Sequence, residues 1–272
     1  MIKEVEITEL KVLNNTIRDV YDVNFEDYAF NFYRRAIIKA ANELNVPSME
    51  LLISQIKQDR TFFEKFCNNL VVKTTEFFRD PSFWLTLKHV LRDYCQDKDQ
   101  INIWVAGCAS GEEVVSLAIL LKEAGLYSKS KIHATETNCL NLNQLKELTY
   151  SLKGLELANS NYERFEGING FSDYYTIKDE NILFDKSLLD HVNTKCGYLF
   201  NYNPEIKYDL ILCRNVMIYF NQKLQERVYT NFSESLLSDG LLAIGINETL
   251  AGFSNSKKYT VLSPDESIYI RF

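Results

Sequence analysis

No stretch of this sequence approaches the roughly 18 consecutive apolar residues that a membrane-spanning helix requires. Its first residues, MIKEVEITEL, carry charge throughout and lack the apolar core of a secretory leader; the expectation is a cytoplasmic chain. Six cysteines (Cys67, Cys95, Cys108, Cys139, Cys196 and Cys213) include no C-x-x-C pair. Scattered as they are, several in apolar runs, they read as buried thiols rather than as a disulfide framework or a zinc site. The 3 histidines stand far apart, and no metal site is expected. Basic residues are in deficit: 30 Lys and Arg against 37 Asp and Glu leave a net charge of −7. That balance argues against a nucleic-acid partner or attraction to an anionic membrane. Internal repeats and low-complexity segments are missing too. What remains is an ordinary soluble composition, 46% hydrophobic and 25% charged. The length suits one large domain, or one domain with a smaller companion.

The first part of the chain has a helical pattern. ITELKVLNNTIRDVYD, FEDYAFNFYRRAIIKAANELN, PSMELLISQIKQD and RTFFEKFCNNLV repeat apolar residues every three or four positions, and PSFWLTLKHVLRDYC opens on Pro81. From residue 101 the pattern changes. INIWVAG, KIHATE, YDLILCRN, GLLAIGI and ESIYIRF read as strands, separated by the helical EEVVSLAILLKEAG, NLNQLKELTYSL and NQKLQERVYTNFSESL. Such alternation predicts an α/β fold with a mostly parallel sheet. GFSDYYTIKDENILFDKSL, built around a polar turn, predicts a small antiparallel excursion at about 168–196. The expected division is a helical domain over 1–80 and an α/β domain over 81–272.

In such a sheet, ligands bind at the carboxyl ends of the strands, beside the first βα turn. Here that turn is AGCASGEE, residues 106–113. Its small residues let a ligand approach the backbone, with Gly107 among them. It matches neither G-x-G-x-x-G nor the phosphate-binding loop that ends in G-K-[ST]. Two glutamates, Glu112 and Glu113, follow it and would repel phosphates. They suit a cationic, phosphate-free ligand such as S-adenosylmethionine. Glu136, at the end of the second strand, can accept hydrogen bonds from ribose hydroxyls. The competing account is that the two acids simply favour a helix N-terminus.

Four segments together resemble one family, the CheR-type chemotaxis methyltransferases: TTEFFRDPSFW (74–84), IWVAGCASGEEVVSLAILL (103–121), ILCRNVMIYFN (211–221) and DGLLAIGINETL (239–250). The pattern of the N-terminal helices is similar as well. This resemblance implies a Rossmann-like class I methyltransferase sheet, an all-helical N-terminal receptor-docking domain and a small β subdomain. It implies S-adenosylmethionine as cofactor, S-adenosylhomocysteine as product, and glutamate side chains of chemotaxis receptors as substrate. Residue by residue, it implies that Thr75 and Arg79 reach the cofactor site and that Glu113 meets the methionyl amino end. Glu136 takes the ribose position, with Cys213 and Arg214 against the cofactor. Tyr219 stands with Arg79 near the transferable methyl. The implied partner is the receptor's cytoplasmic helical bundle, met by a basic face of Arg34, Arg35 and Lys39, and the implied state is a monomer.

The sequence departs from the family pattern at Lys73, where Asn is usual, and at Glu136, where Asp is usual. Tyr198-Leu199 stands in place of an Asn-Leu pair beside the adenine. These departures leave open a second reading, a CheR-like sensor or docking module with little activity. A third, a nucleotide-dependent enzyme of another α/β class, conflicts with the acids after the turn. Without the resemblance, Arg79 reads as part of a salt-bridged helix start with Asp80, Tyr219 as a core aromatic, Cys213 as a small core residue, and the basic helix face as solvated charge.

Overall fold

The computed structural model describes residues 1–70, 75–197, 199, 202 and 205–272. The chain forms two compact units, one gathering the N-terminal helices with Met217–Gln225, the other the rest of the chain.

The first unit is helical: α1 (Ile7–Tyr21), α2 (Phe30–Glu43), α3 (Met49–Gln58) and α4 (Arg60–Leu70). Its core is the apolar stripe of each helix, with Leu13, Ile17, Ile37, Leu52, Ile56 and Phe66 fully buried. Ser48 caps α3 by accepting the Leu51 N–H at 3.3 Å. The helix expected over 25–45 begins only at Phe30. Residues ahead of it pair with the 217–221 segment instead: Tyr28 forms an antiparallel bridge with Phe220, Ala29 donates to the Tyr219 carbonyl at 2.9 Å, and Asn221 donates to the Asp27 carbonyl at 2.9 Å. The aromatic spacing of Phe25, Tyr28 and Phe32 imitates a helix repeat. It serves ring packing instead, with Tyr28 edge-on to Phe220 and Phe32 against Tyr219 at 4.4 Å.

The second unit opens with α5 (Pro81–Cys95), β1 (Ile101–Ala106), α6 (Glu112–Glu123), β2 (Ser130–Glu136) and α7 (Cys139–Glu147). It continues through β3 (Thr149–Ser151), α8 (Leu155–Arg164), β4 (Tyr175–Lys178), β5 (Asn181–Phe184), β6 (Val192–Cys196) and β7 (Tyr208–Cys213). After α9 (Gln222–Ser235) come β8 (Leu236–Ile244), β9 (Tyr259–Ser263) and β10 (Ile268–Arg271). Seven strands form one sheet in the order β6-β2-β1-β7-β8-β10-β9. The first five run parallel, and β10 lies antiparallel to both β8 and β9. This is a Rossmann-like sheet. Its central strands are buried on both faces, which is why β7, YDLILC, is an unbroken apolar run apart from Asp209. The chain turns back between β1 and β7, so their carboxyl ends form the crevice where such sheets bind ligands.

Two expectations need correction here. TYSL, read as the end of a helix, holds β3, which joins β4 and β5 in a separate antiparallel sheet ordered β3-β5-β4. Residues 192–196, read as part of the excursion, form β6 and pair with β2 in the main sheet. Local pattern cannot distinguish a short edge strand of one sheet from that of another; pairing decides.

Among the described residues, no helix is long and apolar enough to cross a membrane. Nor does any group of three or more His, Cys, Asp or Glu side chains among them form a metal site.

Candidate active site

The chain leaves β1 through Gly107 (φ 80°), Ala109 (φ 47°) and Gly111 (φ 98°), all in the left-handed region. Space as well as conformation requires the two glycines: a Cβ on Gly107 would lie 2.8 Å from Val216 Cγ2, and one on Gly111 would lie 2.5 Å from Leu145 Cδ1. The N–H groups of Gly107 and Cys108 both donate to the Thr135 carbonyl, at 2.9 and 3.1 Å. The Tyr150 hydroxyl donates to the Ser110 carbonyl at 2.9 Å. The turn is thus held by β2 and by β3 before any ligand arrives.

The two acids that follow have different surroundings. Glu112 is buried and accepts the Ser110 hydroxyl at 2.7 Å, and burial pushes its carboxyl above the ordinary range. Glu113 is raised chiefly by burial, while the charge and hydrogen bond of Arg214 pull it down; the Glu248 carboxylate raises it and Arg79 lowers it.

Arg214 organises this charge set. Its side chain is 0% exposed and bridges two carboxylates, Nη2 to Asp80 at 2.8 Å and Nη1 to Glu113 at 3.2 Å. It also donates to the Arg79 carbonyl at 3.2 Å, and its guanidinium lies over the Phe83 ring at 3.9 Å. The salt-bridged helix start is therefore present, but the cation that Asp80 meets is Arg214, which arrives from the end of β7.

The segment before α5 is anchored by Phe77 and Phe78, both in the core. The Phe78 N–H donates to the Ser116 hydroxyl at 2.9 Å. This fastens Thr75 and Arg79, both half-buried, beside α6. The residue at position 73 lies outside the described set.

Glu136 ends β2 with its carboxylate held on both sides. One oxygen accepts the Ala109 N–H at 2.9 Å. The other accepts the Thr137 hydroxyl at 3.0 Å and the Asn138 N–H at 2.9 Å. On the far side of the turn, Cys213 is fully buried at the end of β7, its thiol pushed up by burial. Leu199 is buried and its carbonyl accepts from Asn231 Nδ2 at 2.9 Å; Tyr198 lies outside the described residues. Tyr219, Arg34, Arg35 and Lys39 belong to the helical unit. There Tyr219 packs on Phe32. Arg35 is exposed and donates to the Asn31 carbonyl at 3.2 Å, and Lys39 pairs with Glu43 at 3.8 Å.

Glu248 had no role in the sequence reading, although it lies in one of the four segments. It is buried and accepts the N–H groups of Gly245 at 2.6 Å and Asn215 at 3.1 Å, tying the turn after β7 to the turn after β8. A carboxylate this close to a Gly in an apolar strand exit was the available signal.

The cysteine expectation also needs correction. Cys139 and Cys196 form a disulfide, with Cα atoms 5.4 Å apart, and both residues are exposed. They are 57 residues apart in sequence, and only the pairing of β6 with β2 brings them together.

A small-residue turn after β1, acids at the start of α6 and at the end of β2, and a seven-stranded sheet with one antiparallel strand make up the fold of an S-adenosylmethionine-dependent methyltransferase. The model of the family "CheR methyltransferase, SAM binding domain" matches residues 73–266. The chain belongs to that family, and its cofactor is S-adenosylmethionine. It is similar to the Cher3 protein of Pseudomonas putida, at 31% identity over 261 residues and 96% of each chain. It is also similar to a chemotaxis protein methyltransferase of Listeria monocytogenes, at 29% identity and 79% of each chain. A chemotaxis protein methyltransferase of Salmonella typhimurium is 29% identical over 75% of this chain and 69% of its own.

Proposed function

We propose that this methyltransferase transfers the methyl group of S-adenosylmethionine to glutamate side chains of a chemotaxis receptor, giving glutamyl methyl esters and S-adenosylhomocysteine, in the cytoplasm. The observation that carries the reading is the charge arrangement at the first turn: carboxylates where phosphate-binding folds place amide nests and lysine. In this assignment Glu113 meets the methionyl ammonium, Glu136 the ribose hydroxyls, and Gly107 lets the cofactor approach the backbone. Thr75, Leu199 and Cys213 complete its surroundings. Arg214 acts by holding Glu113 in place. The cofactor supplies an electrophilic methyl on a sulfonium, and the chain must deliver an oxygen in line with it. A glutamate carboxylate of pKa about 4.3 is already ionised at neutral pH, so no general base is needed. Alignment and exclusion of water are the work left to the protein. Arg79 orients the substrate carboxylate through charge-assisted hydrogen bonds.

The test is transfer of labelled methyl from S-adenosylmethionine to a receptor cytoplasmic fragment, with the modified residues read by mass spectrometry. Base-labile methyl esters on glutamate are expected. Label confined to other residue types, or none at all, overturns the substrate assignment.

Glu113 gives this reading a pH signature. Its carboxyl titrates above the ordinary carboxylate value because it is buried, and binding of a cationic ammonium requires the ionised form. Affinity for S-adenosylhomocysteine is therefore expected to weaken as pH falls through that raised value, with proton release on binding in the same window. Calorimetry in buffers of different ionisation enthalpy checks it, and Glu113→Gln should bind more weakly with the dependence removed.

The receptor is expected to dock on the face that carries Arg34, Arg35 and Lys39. Arg34 buries its Nε, so the cleaner probe is charge reversal at the two exposed positions. Arg35→Glu with Lys39→Glu should weaken receptor association roughly tenfold at low salt, chiefly through the on-rate. Affinity for S-adenosylhomocysteine should stay unchanged, and salt should reproduce the loss in the unaltered protein. Normal receptor binding by the reversed variant assigns those charges to solvent.

A further inference from the structure

The Cys139–Cys196 disulfide lies on both flanks of Glu136. In the register of β2 against β6, Glu136 is opposite Cys196, and the next residue, Gly197, donates its N–H to the Glu136 carbonyl at 2.9 Å. On the other flank, Asn138 donates its N–H to the Glu136 carboxylate. Asn138 is also the N-cap of α7, its side chain accepting the Leu140 N–H at 3.0 Å, and Cys139 is the first residue of that helix. The bond therefore ties the start of α7 to the end of β6, with Glu136 between them. Further along α7, Leu145 packs against Gly111 in the turn after β1. α7 thus borders both the Glu136 carboxylate and the turn that leads to Glu113.

We propose that this disulfide is a thiol–disulfide exchange site whose redox state sets affinity for the cofactor. The proposal rests on the assignment of Glu136 to the cofactor's ribose. The reactant is a dithiol reductant. One of its thiolates attacks a sulfur of the Cys139–Cys196 bond, which breaks to release the other cysteine as a thiolate. The reductant's second thiolate then displaces the remaining protein sulfur and closes the reductant's own disulfide. Two electrons pass to the protein, and two protons from solvent or from the dithiol complete the Cys139 and Cys196 thiols. Both cysteines are exposed, and exposed disulfides are the exchangeable ones. The other four cysteines do not compete. Cys95, Cys108 and Cys213 are buried, and half-buried Cys67 has its thiol pushed up to about 12 by burial. In a reducing compartment such a bond serves sensing rather than permanent stapling.

Oxidised, the α7 start is held in the arrangement that fixes the Glu136 carboxylate. Reduced, that arrangement becomes one of several, and apparent affinity falls by the fraction that remains competent. The experiment measures S-adenosylhomocysteine binding calorimetrically on the full chain, oxidised, reduced by a water-soluble phosphine, and reoxidised. Thiols are counted under denaturing conditions and urea unfolding is followed in parallel. Cys139→Ser, Cys196→Ser and Glu136→Ala are carried alongside. The expected result is 4 thiols in the oxidised protein, matching the four unpaired cysteines, with affinity about tenfold weaker on reduction and restored on reoxidation. Both serine variants should be weak and indifferent to reductant. If reduction lowers the urea midpoint but leaves affinity unchanged, the bond is only a staple and the proposal falls. It falls equally if oxidised protein shows no disulfide. If Glu136→Ala binds as tightly as the unaltered chain, the ribose assignment itself is what failed.

Discussion

Arg214→Met should destabilise the sheet unit by about 3–5 kcal/mol, the cost of removing one partner from a buried ion pair. Arg214 is 0% exposed and answers both Asp80 and Glu113. Without it, half-buried Glu113 faces the Glu248 carboxylate, which raises it, while the Arg79 charge still lowers it. Both tryptophans, Trp84 and Trp104, are fully buried in this unit, so fluorescence-detected urea unfolding reads its stability directly. The loss should depend on pH. Arg214 is the largest influence lowering the Glu113 carboxyl, so its removal raises that group further above its unfolded value. A group raised in the folded state contributes stability below its unfolded pKa and loses it as pH rises through the folded one. The variant should therefore come closest to the unaltered protein in mild acid and fall behind as pH rises. A uniform loss across pH would show that packing over Phe83, at 3.9 Å, and not charge, is what Arg214 contributes. Asp80→Asn should cost less, because Asp80 is partly exposed and the cation keeps Glu113.

Arg79→Ala should lower kcat for methyl transfer on the order of 10²-fold, because a misaligned nucleophile forfeits much of the advantage of holding reactants in line. Its backbone has a separate duty that the substitution leaves alone: the Arg79 carbonyl accepts from Trp84 Nε1 at 2.9 Å and from Arg214. Folding should accordingly survive. The informative comparison is between turnover and affinity for the product. Arg79 lowers the Glu113 carboxyl by its charge, so its loss raises that group and weakens product binding at low pH through Glu113 alone. Measured above neutrality, affinity for S-adenosylhomocysteine should change only a few-fold while kcat falls. Equal losses in both would make Arg79 a cofactor-binding residue and remove it from substrate orientation.

The legibility of the site in sequence follows from the range of the interactions involved. The strand–turn–helix around Gly107 to Glu113 is local: small residues between an apolar run and a helix repeat need no partner to be recognised. β7 could likewise be read from its apolar run. FFRDP and CRN could be recognised as segments, but not the fact that Arg214 of the second meets Asp80 of the first across 134 residues. Glu248 was hidden for the same reason, since its two N–H partners belong to turns that only the β7–β8 pairing places together.

By itself the sequence determined the element types, the mostly parallel sheet and the acids at the first turn, because hydrophobic period and turn chemistry are carried by neighbouring residues. Tertiary structure decided what depends on pairing. It gave β6 to the main sheet rather than to the antiparallel excursion, kept residues 25–29 out of α2 by engaging them with 217–221, and neutralised one of the two turn acids with a buried arginine. It also joined Cys139 to Cys196. Each of these rests on a contact between distant segments, whose free energy is gained only once the chain has closed the loop between them.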